Sequence, residues 1–253
     1  MISKGNWRFV TGNRPFFVKI PFLCIMENGK TPPDAPSCVL IQPTARHEKP
    51  SLEEEMAAIK AAAPLNYVME LFPVDDWTVD LMPWPDRKIS KDPRAGFLAG
   101  ETLRRILDEA ASKYPGVPII LGGYSLAGLF SLWASTQTAR FTAVAAASPS
   151  LWIAEWDIFA PQHPVLAKDV YLSLGDREEI SRNSAIARVG DRLRAQYGLL
   201  SGQLGENHCT LRWEEGSHFT DNAGRLARAF LWCMEKVAAS AAVTRQDQNT
   251  VIV

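Results

Sequence analysis

The stretch Val117-Pro-Ile-Ile-Leu-Gly-Gly-Tyr-Ser-Leu-Ala-Gly-Leu-Phe-Ser-Leu-Trp133 decides the reading of the chain. An apolar run, Val117 to Leu121, ends in Gly122-Gly123. Ser125 follows, with Gly123 and Ala127 two positions to either side, and a helical apolar pattern starts at once with Leu126. A sharp strand-to-helix turn needs small neighbours, and it lifts a serine hydroxyl clear of the sheet edge. The spacing predicts a strand over 117–121, a nucleophile elbow at Ser125 and a helix over 126–135. In such a turn the Leu126 N–H points toward the place where an oxyanion forms.

Outward from this element the chain alternates strand-like and helix-like segments. That order predicts an α/β fold with a mostly parallel central sheet and helices on both faces. Upstream, Cys38 to Gln42 is a short buried strand and Tyr67 to Pro73 the next one. Between them Ser51 to Ala63 reads as a helix opened by a capping box, Ser51 with Glu54. A tryptophan- and proline-rich loop, Asp75 to Asp86, places Asp75, Asp76 and Asp86 as turn and capping residues. Leu103, Ile106, Leu107, Ala110 and Tyr114 share a helical face that ends at Pro115-Gly116. Downstream, strands are expected over Phe141 to Ala147, Asp169 to Leu174 and Cys209 to Trp213. Ile186, Val189, Leu193 and Tyr197 form a helical stripe closed by Gly198, and Leu226, Phe230, Met234 and Val237 mark a final helix. The apolar, aromatic stretch Trp7 to Ile25 reads as antiparallel strands at one sheet edge. No repeat or linker divides the chain. Residues 1–239 read as a single domain, and 240–253, polar and aperiodic, as a flexible tail.

Composition excludes several function classes. The 253 residues, 47% of them hydrophobic, suit one large α/β domain with a sizeable core. Lys+Arg 27 against Asp+Glu 28 leave a net charge of −1, which offers no basic surplus to nucleic acid or to an anionic membrane. No apolar run approaches the ~20 residues that span a bilayer. The start, Met1 to Val10, has no apolar leader, so a cytoplasmic location is expected. Cys24, Cys38, Cys209 and Cys233 lack Cys-x-x-Cys spacing and read as buried thiols, not as a disulfide frame or a zinc site. Phosphate-loop, dinucleotide-fingerprint and His-Glu-x-x-His motifs do not occur.

A serine hydroxyl is a poor nucleophile until a base takes its proton, and the base needs an acid to orient it. On a sheet with a serine elbow the chain order is serine, acid, histidine, and this sequence supplies it. After the Asp169 to Leu174 strand comes Gly175-Asp176-Arg177-Glu178-Glu179, and after Cys209 to Trp213 comes Glu214-Glu215-Gly216-Ser217-His218. Both groups lie just past the carboxyl end of a strand, where sites in open α/β sheets collect. Of the four histidines, His47 follows the Cys38 to Gln42 strand, His163 lies in a Pro-flanked loop and His208 starts a strand. Only His218 stands where the order demands. Glu178, three residues past Gly175, is the first choice of acid and Asp176 the alternative. A second oxyanion donor is expected after the Cys38 to Gln42 strand. Pro43 has no N–H, which leaves Thr44 or Ala45.

The segments GGYSLAGLFSLW, AVAAASPSLWI, VYLSLGDREE and GSHF together resemble the esterase family of α/β-hydrolases that holds the esterase D (S-formylglutathione hydrolase) and enterochelin (ferric enterobactin) esterase types. The resemblance covers Val117 to Glu235 well and the first third poorly. It implies an α/β-hydrolase fold, a Ser-His-acid triad, no metal and no organic cofactor. Ser125 then matches the nucleophile, His218 the base, Glu178 or Asp176 the acid, and Trp152 a position near the pocket. Two departures stand out. Ala127 replaces the second glycine of Gly-x-Ser-x-Gly, and Gln42-Pro43-Thr44 replaces a glycine-bearing turn.

Trp77, Trp84, Trp152 and Trp156 lie in loops at strand ends. They can form an aromatic pocket with Tyr124 or pack those loops onto the sheet. Tyr124, Trp152 and Trp77 are the pocket candidates. The expected activity is hydrolysis of a carboxylic ester or thioester of a small molecule through an acyl-enzyme. The alternative is a catalytically weak or inactive protein of the same fold that binds a ligand.

Overall fold

The computed structural model describes residues 36–45, 49–181, 183 and 186–250. The expected strands over Trp7 to Ile25, together with Cys24 and His47, lie outside the described residues. Among the described residues six parallel strands form one sheet: β1 (Cys38–Ala45), β2 (Tyr67–Val74), β3 (Ile119–Tyr124), β4 (Ala143–Ala147), β5 (Asp169–Gly175) and β6 (Cys209–Glu214). Their spatial order is β2-β1-β3-β4-β5-β6. The helices between them are α1 (Lys49–Ala62), α2 (Trp77–Asp80), α3 (Ala99–Lys113), α4 (Leu126–Gln137), α5 (Trp156–Phe159) and α6 (Val189–Leu204), and α7 (Asn222–Thr250) closes the chain.

Side chains on each strand alternate between two buried faces. Cys38, Leu40, Ile120, Ala143, Ala145, Ala147 and Tyr171 pack with Ile59 of α1 and with Leu226, Phe230 and Met234 of α7. Val39, Ile41, Ile119 and Leu121 face the other way, onto α3 and onto Ala127, Phe130 and Ala134 of α4. Val144, Ala146, Val170 and Leu172 continue that second face under α4 and α6. Burial on both faces explains why the strands read as unbroken apolar runs rather than as alternating ones. Truncating a fully buried ring such as Phe130 or Phe230 removes about 3–5 kcal/mol.

Where the elements differ from expectation, packing sets the difference. β3 runs from Ile119 to Tyr124, further than the apolar run, because Gly122 and Gly123 stay in register with Ala145 and Ala146 of β4. Helix α1 begins at Lys49, so Ser51 lies inside its first turn instead of capping it. Helix α6 passes through Gly198 and runs to Leu204, with Gly205 as its cap, since Leu200 carries the buried stripe on. The 75–86 loop contains α2, capped by Asp76, whose side chain accepts the N–H groups of Thr78 and Val79. Asp86 accepts the N–H groups of Lys88 at 2.9 Å and Ala154 at 3.1 Å. Helix α7 continues past Ser240 as far as Thr250, within the segment whose polar sequence set it apart as a tail.

One feature of the topology positions the site. The chain winds from β1 outward to β2, then returns past β1 to β3 and winds the other way. β1 pairs with β3 only over Val39 to Ile41, while its pairing with β2 persists to Ala45. The carboxyl ends of β1 and β3 therefore part at the point where strand order reverses, which is where open α/β sheets form their clefts.

Candidate active site

Ser125 stands between β3 and α4 with φ 57° and ψ −116°. A non-glycine residue held at such a φ costs about 1–3 kcal/mol and persists only where its surroundings fix it. Here the Ser125 N–H donates to Ala147 O at 3.0 Å, and Ser125 O accepts from Leu129 N and from Ser150 N, both at 3.1 Å. The strained turn is thus clamped to the end of β4 on one side and to α4 on the other. Leu126 is the first residue of α4, so its N–H has no carbonyl within its own helix to bond.

The turns after β5 and β6 bring the other two groups to this serine. His218 Nε2 lies 3.0 Å from Ser125 Oγ, and His218 Nδ1 lies 2.7 Å from Glu178 Oε2. A carboxylate only accepts, so Nδ1 carries the proton and Nε2 is left to accept from the serine hydroxyl. Glu178 Oε1 accepts from Gly175 N at 2.7 Å and from Ser148 Oγ at 2.8 Å. Burial pushes the Glu178 carboxyl up, but the bonds from His218, from the Gly175 N–H and from Ser148 outweigh it and hold the group below its ordinary range.

Asp176, the alternative acid, faces elsewhere. Its Oδ1 accepts the Gly216 N–H at 2.8 Å, and its own N–H donates to Glu214 O at 2.8 Å. It ties the β5 turn to the histidine loop. Gly216 sits at φ 104° and its hydrogen faces Thr220, so only glycine suits that bend. Ser217 N then donates to Thr220 Oγ1 at 3.1 Å, closing the loop that presents His218.

Three residues of this cluster escaped the sequence reading. Arg225 of α7 is fully buried, and its Nη1 donates to Glu178 Oε1 at 2.9 Å. Ser148 and Ser150, just past β4, reach Glu178 and Ser125, the latter as an Oγ–Oγ pair at 3.2 Å. Arg225 had a readable signal, because it falls one turn before Ala229 and two before Cys233 on the apolar stripe of α7. Both serines stand in SPSLW directly past a strand end, where site residues collect.

Among the oxyanion and pocket candidates, Thr44 is buried near the end of β1, in register with Pro73 of β2, in the part of the strand that has left β3. The Tyr124 ring lies 5.2 Å from the His218 ring, and its hydroxyl donates to His218 O at 2.8 Å. Trp77 packs half-buried against the Val39–Phe72–Phe130 cluster, and Trp152 against the Leu129–Val144–Leu172 cluster. Trp84 and Trp156 pack the 75–86 loop onto α5 and α6, Trp156 being the first residue of α5 and not a loop residue. Their rings stack 6.2 Å apart, Trp84 Nε1 donates to Ala154 O at 2.8 Å, and Trp156 Nε1 donates to Gln196 Oε1 at 3.0 Å. Among the described residues no group of three or more His, Cys, Asp or Glu side chains is arranged to hold a metal ion, and no helix is long and apolar enough to cross a membrane.

No protein-family model and no curated protein matches the chain. Solved structures do. The siderophore hydrolase EstA from Aspergillus nidulans superposes with a TM-score of 0.61 at 18% identity, over 79% of this chain and 83% of its own. An IroE-like serine hydrolase from Shewanella oneidensis gives 0.56 at 15% identity, over 76% and 68%. The fluorophosphonate-binding serine hydrolase FphF of Staphylococcus aureus gives 0.52 at 10% identity, over 82% and 87%. At these identities the likeness is one of architecture. Together with the parallel pairing of the described strands, the reversal of strand order and the serine elbow, it identifies the chain as having the α/β-hydrolase fold.

Proposed function

We propose that this chain is a serine hydrolase that cleaves a carboxylic ester or thioester of a small molecule through an acyl-enzyme. The observation that carries the reading is the unbroken hydrogen-bond chain from Ser125 Oγ through His218 to Glu178, with links of 3.0 and 2.7 Å. Ser125 Oγ attacks the acyl carbon while His218 Nε2 takes its proton. The charge that develops on the carbonyl oxygen is met by the Leu126 N–H and by a donor at the end of β1, Thr44. The resulting imidazolium is held by Glu178 and gives its proton to the leaving alcohol or thiol. Water then attacks the acyl-enzyme with His218 again as base, releasing the acid and restoring Ser125.

No metal and no organic cofactor enters this sequence of steps. One named structural neighbour is a siderophore hydrolase, which makes ester-linked siderophores one substrate class to try beside simple acyl esters. Turnover of p-nitrophenyl esters from acetate upward tests the reading. The account predicts hydrolysis by the wild-type chain that falls by several orders of magnitude in a folded Ser125→Ala variant. Equal turnover in the two contradicts it.

A further inference from the structure

Arg225 is fully buried in α7, although nothing in the helix packing asks for a cation there. Ala229 and Cys233, one and two turns on along the same face, fill that face with small apolar groups. A guanidinium removed from water is costly unless its donors meet well-placed acceptors. Here Nη1 faces Glu178 Oε1 at 2.9 Å, Tyr124 OH at 3.1 Å and Ser148 Oγ at 3.4 Å, and Nη2 donates to Glu215 O at 2.8 Å, while Nε is buried without an acceptor among the described residues. Three of these four acceptors belong to the chain segments that carry the triad, and Ser148 lies just past β4. Glu178 is the acid, Tyr124 precedes Ser125, and Glu215 lies in the loop that ends at His218. Tyr124 passes the contact on, since its hydroxyl donates to His218 O at 2.8 Å.

We propose that Arg225 is a positioning residue for this reaction: it holds Glu178 by Oε1, leaves Oε2 to His218, and by opposing the pull of the carboxylate on the imidazole sets the pH at which Ser125 becomes a nucleophile. The proposal rests on the serine-hydrolase reading of the site. A carboxylate favours the charged imidazolium, and a cation on its other oxygen weakens that preference. With Arg225 in place the imidazole becomes neutral, and able to act as a base, at lower pH. Without it the pair keeps its proton longer.

The charged and titratable groups around the pair, among the described residues, come from four elements. Tyr124 is on β3. Asp176, Arg177 and Glu178 are on the turn after β5, with Asp176 bound to Gly216 N. Glu215 precedes His218, with its carbonyl bound to Arg225. On α7, Arg228 pairs with Glu214 at 2.9 Å and Asp221 at 3.0 Å, leaving Arg225 as the cation on Glu178.

The test is the titration of the His218 ring, followed by NMR in the intact chain, beside the pH profile of fluorophosphonate labelling. In Arg225→Gln, which keeps an amide donor and loses the charge, the His218 midpoint rises by at least about one pH unit, since a unit charge within about 12 Å at an effective dielectric of about 20 is worth that much or more. The acid limb of labelling moves with it. Arg225→Lys restores the charge and keeps the midpoint within a few tenths of wild type, while labelling slows because an ammonium cannot span Glu178 and the Glu215 carbonyl. An unchanged midpoint in folded Arg225→Gln overturns the proposal, as does an equal shift in Arg225→Lys. Should Arg225→Gln not fold, Arg225→Lys carries the test: a midpoint raised by a full unit, or labelling at the wild-type rate, contradicts it. Absence of labelling in the wild-type chain counts against the hydrolase reading alone, because the ring titration reports on Arg225 without any reaction.

Discussion

Gly123 and Ala127 meet so closely across the serine elbow that no side chain fits on Gly123. A Cβ there would overlap the Ala127 methyl and come within 2.7 and 2.8 Å of the Ala127 carbonyl carbon and oxygen. The glycine before the serine thus makes room for the alanine after it, which is fully buried. That explains how alanine can replace the second glycine of the elbow pattern. Gly123→Ala is expected to cost about 1–3 kcal/mol, the range for overpacking, and to lower the melting temperature by several degrees. Adding Ala127→Gly recovers only part of the loss, because the backbone contacts remain. A melting temperature equal to wild type in Gly123→Ala contradicts this geometry.

Glu178 and Asp176 separate cleanly in their contacts, and so should their variants. Glu178→Gln removes the acceptor that fixes the imidazole tautomer and the charge that balances the imidazolium. A loss of about 10³–10⁴ in turnover is expected, as for the equivalent change in other triads. Asp176→Asn keeps an oxygen that can accept the Gly216 N–H, so its turnover should stay within about tenfold of wild type. Steady-state rates on one activated ester decide the matter, and the reverse ranking would assign the acid role to Asp176.

The elbow, the succession of strands and helices and the serine-acid-histidine order along the chain were legible because each is a local pattern in sequence. Apolar runs ending in small residues mark strands, and Glu178 and His218 each sit a few residues past one. Helix limits were less legible. Gly198 reads as a stop by propensity, yet Leu200 beyond it finds a place in the core and α6 continues. Tertiary packing overrides the weak local preference. Arg225, Ser148 and Ser150 escaped for a different reason. Their contacts join β3, β4, β5 and α7, and such partners cannot be paired from one sequence.

Cys38, Cys209 and Cys233 are buried thiols in the structure. Burial pushes the Cys38 thiol up to about 12 and raises Cys209 and Cys233 as well. Since the thiolate is the reactive form, none of the three should react with a disulfide reagent at pH 8 until the protein unfolds. Native and denatured thiol titration of a Cys24→Ser chain reads this directly. Rapid reaction of any thiol in the native chain contradicts the burial of these three cysteines on β1, β6 and α7.

The depressed Glu178 carboxyl has a consequence for stability. Its folded value lies below its unfolded value, so its contribution is fully present above the unfolded value and is lost as pH falls through the folded one. Urea midpoints should therefore decline more steeply on acidification through and below the ordinary glutamate range in wild type than in Glu178→Gln. Parallel declines would mean that Glu178 is no better solvated in the folded chain than in the unfolded one.

The most direct test of the central claim is labelling of the intact chain by a fluorophosphonate probe, which reacts only with an activated serine. Wild type, Ser125→Ala and His218→Ala are compared, with folding checked by circular dichroism. The account predicts labelling of wild type that disappears in both variants. A folded wild-type chain that takes no label, or a Ser125→Ala chain that labels as well as wild type, contradicts it.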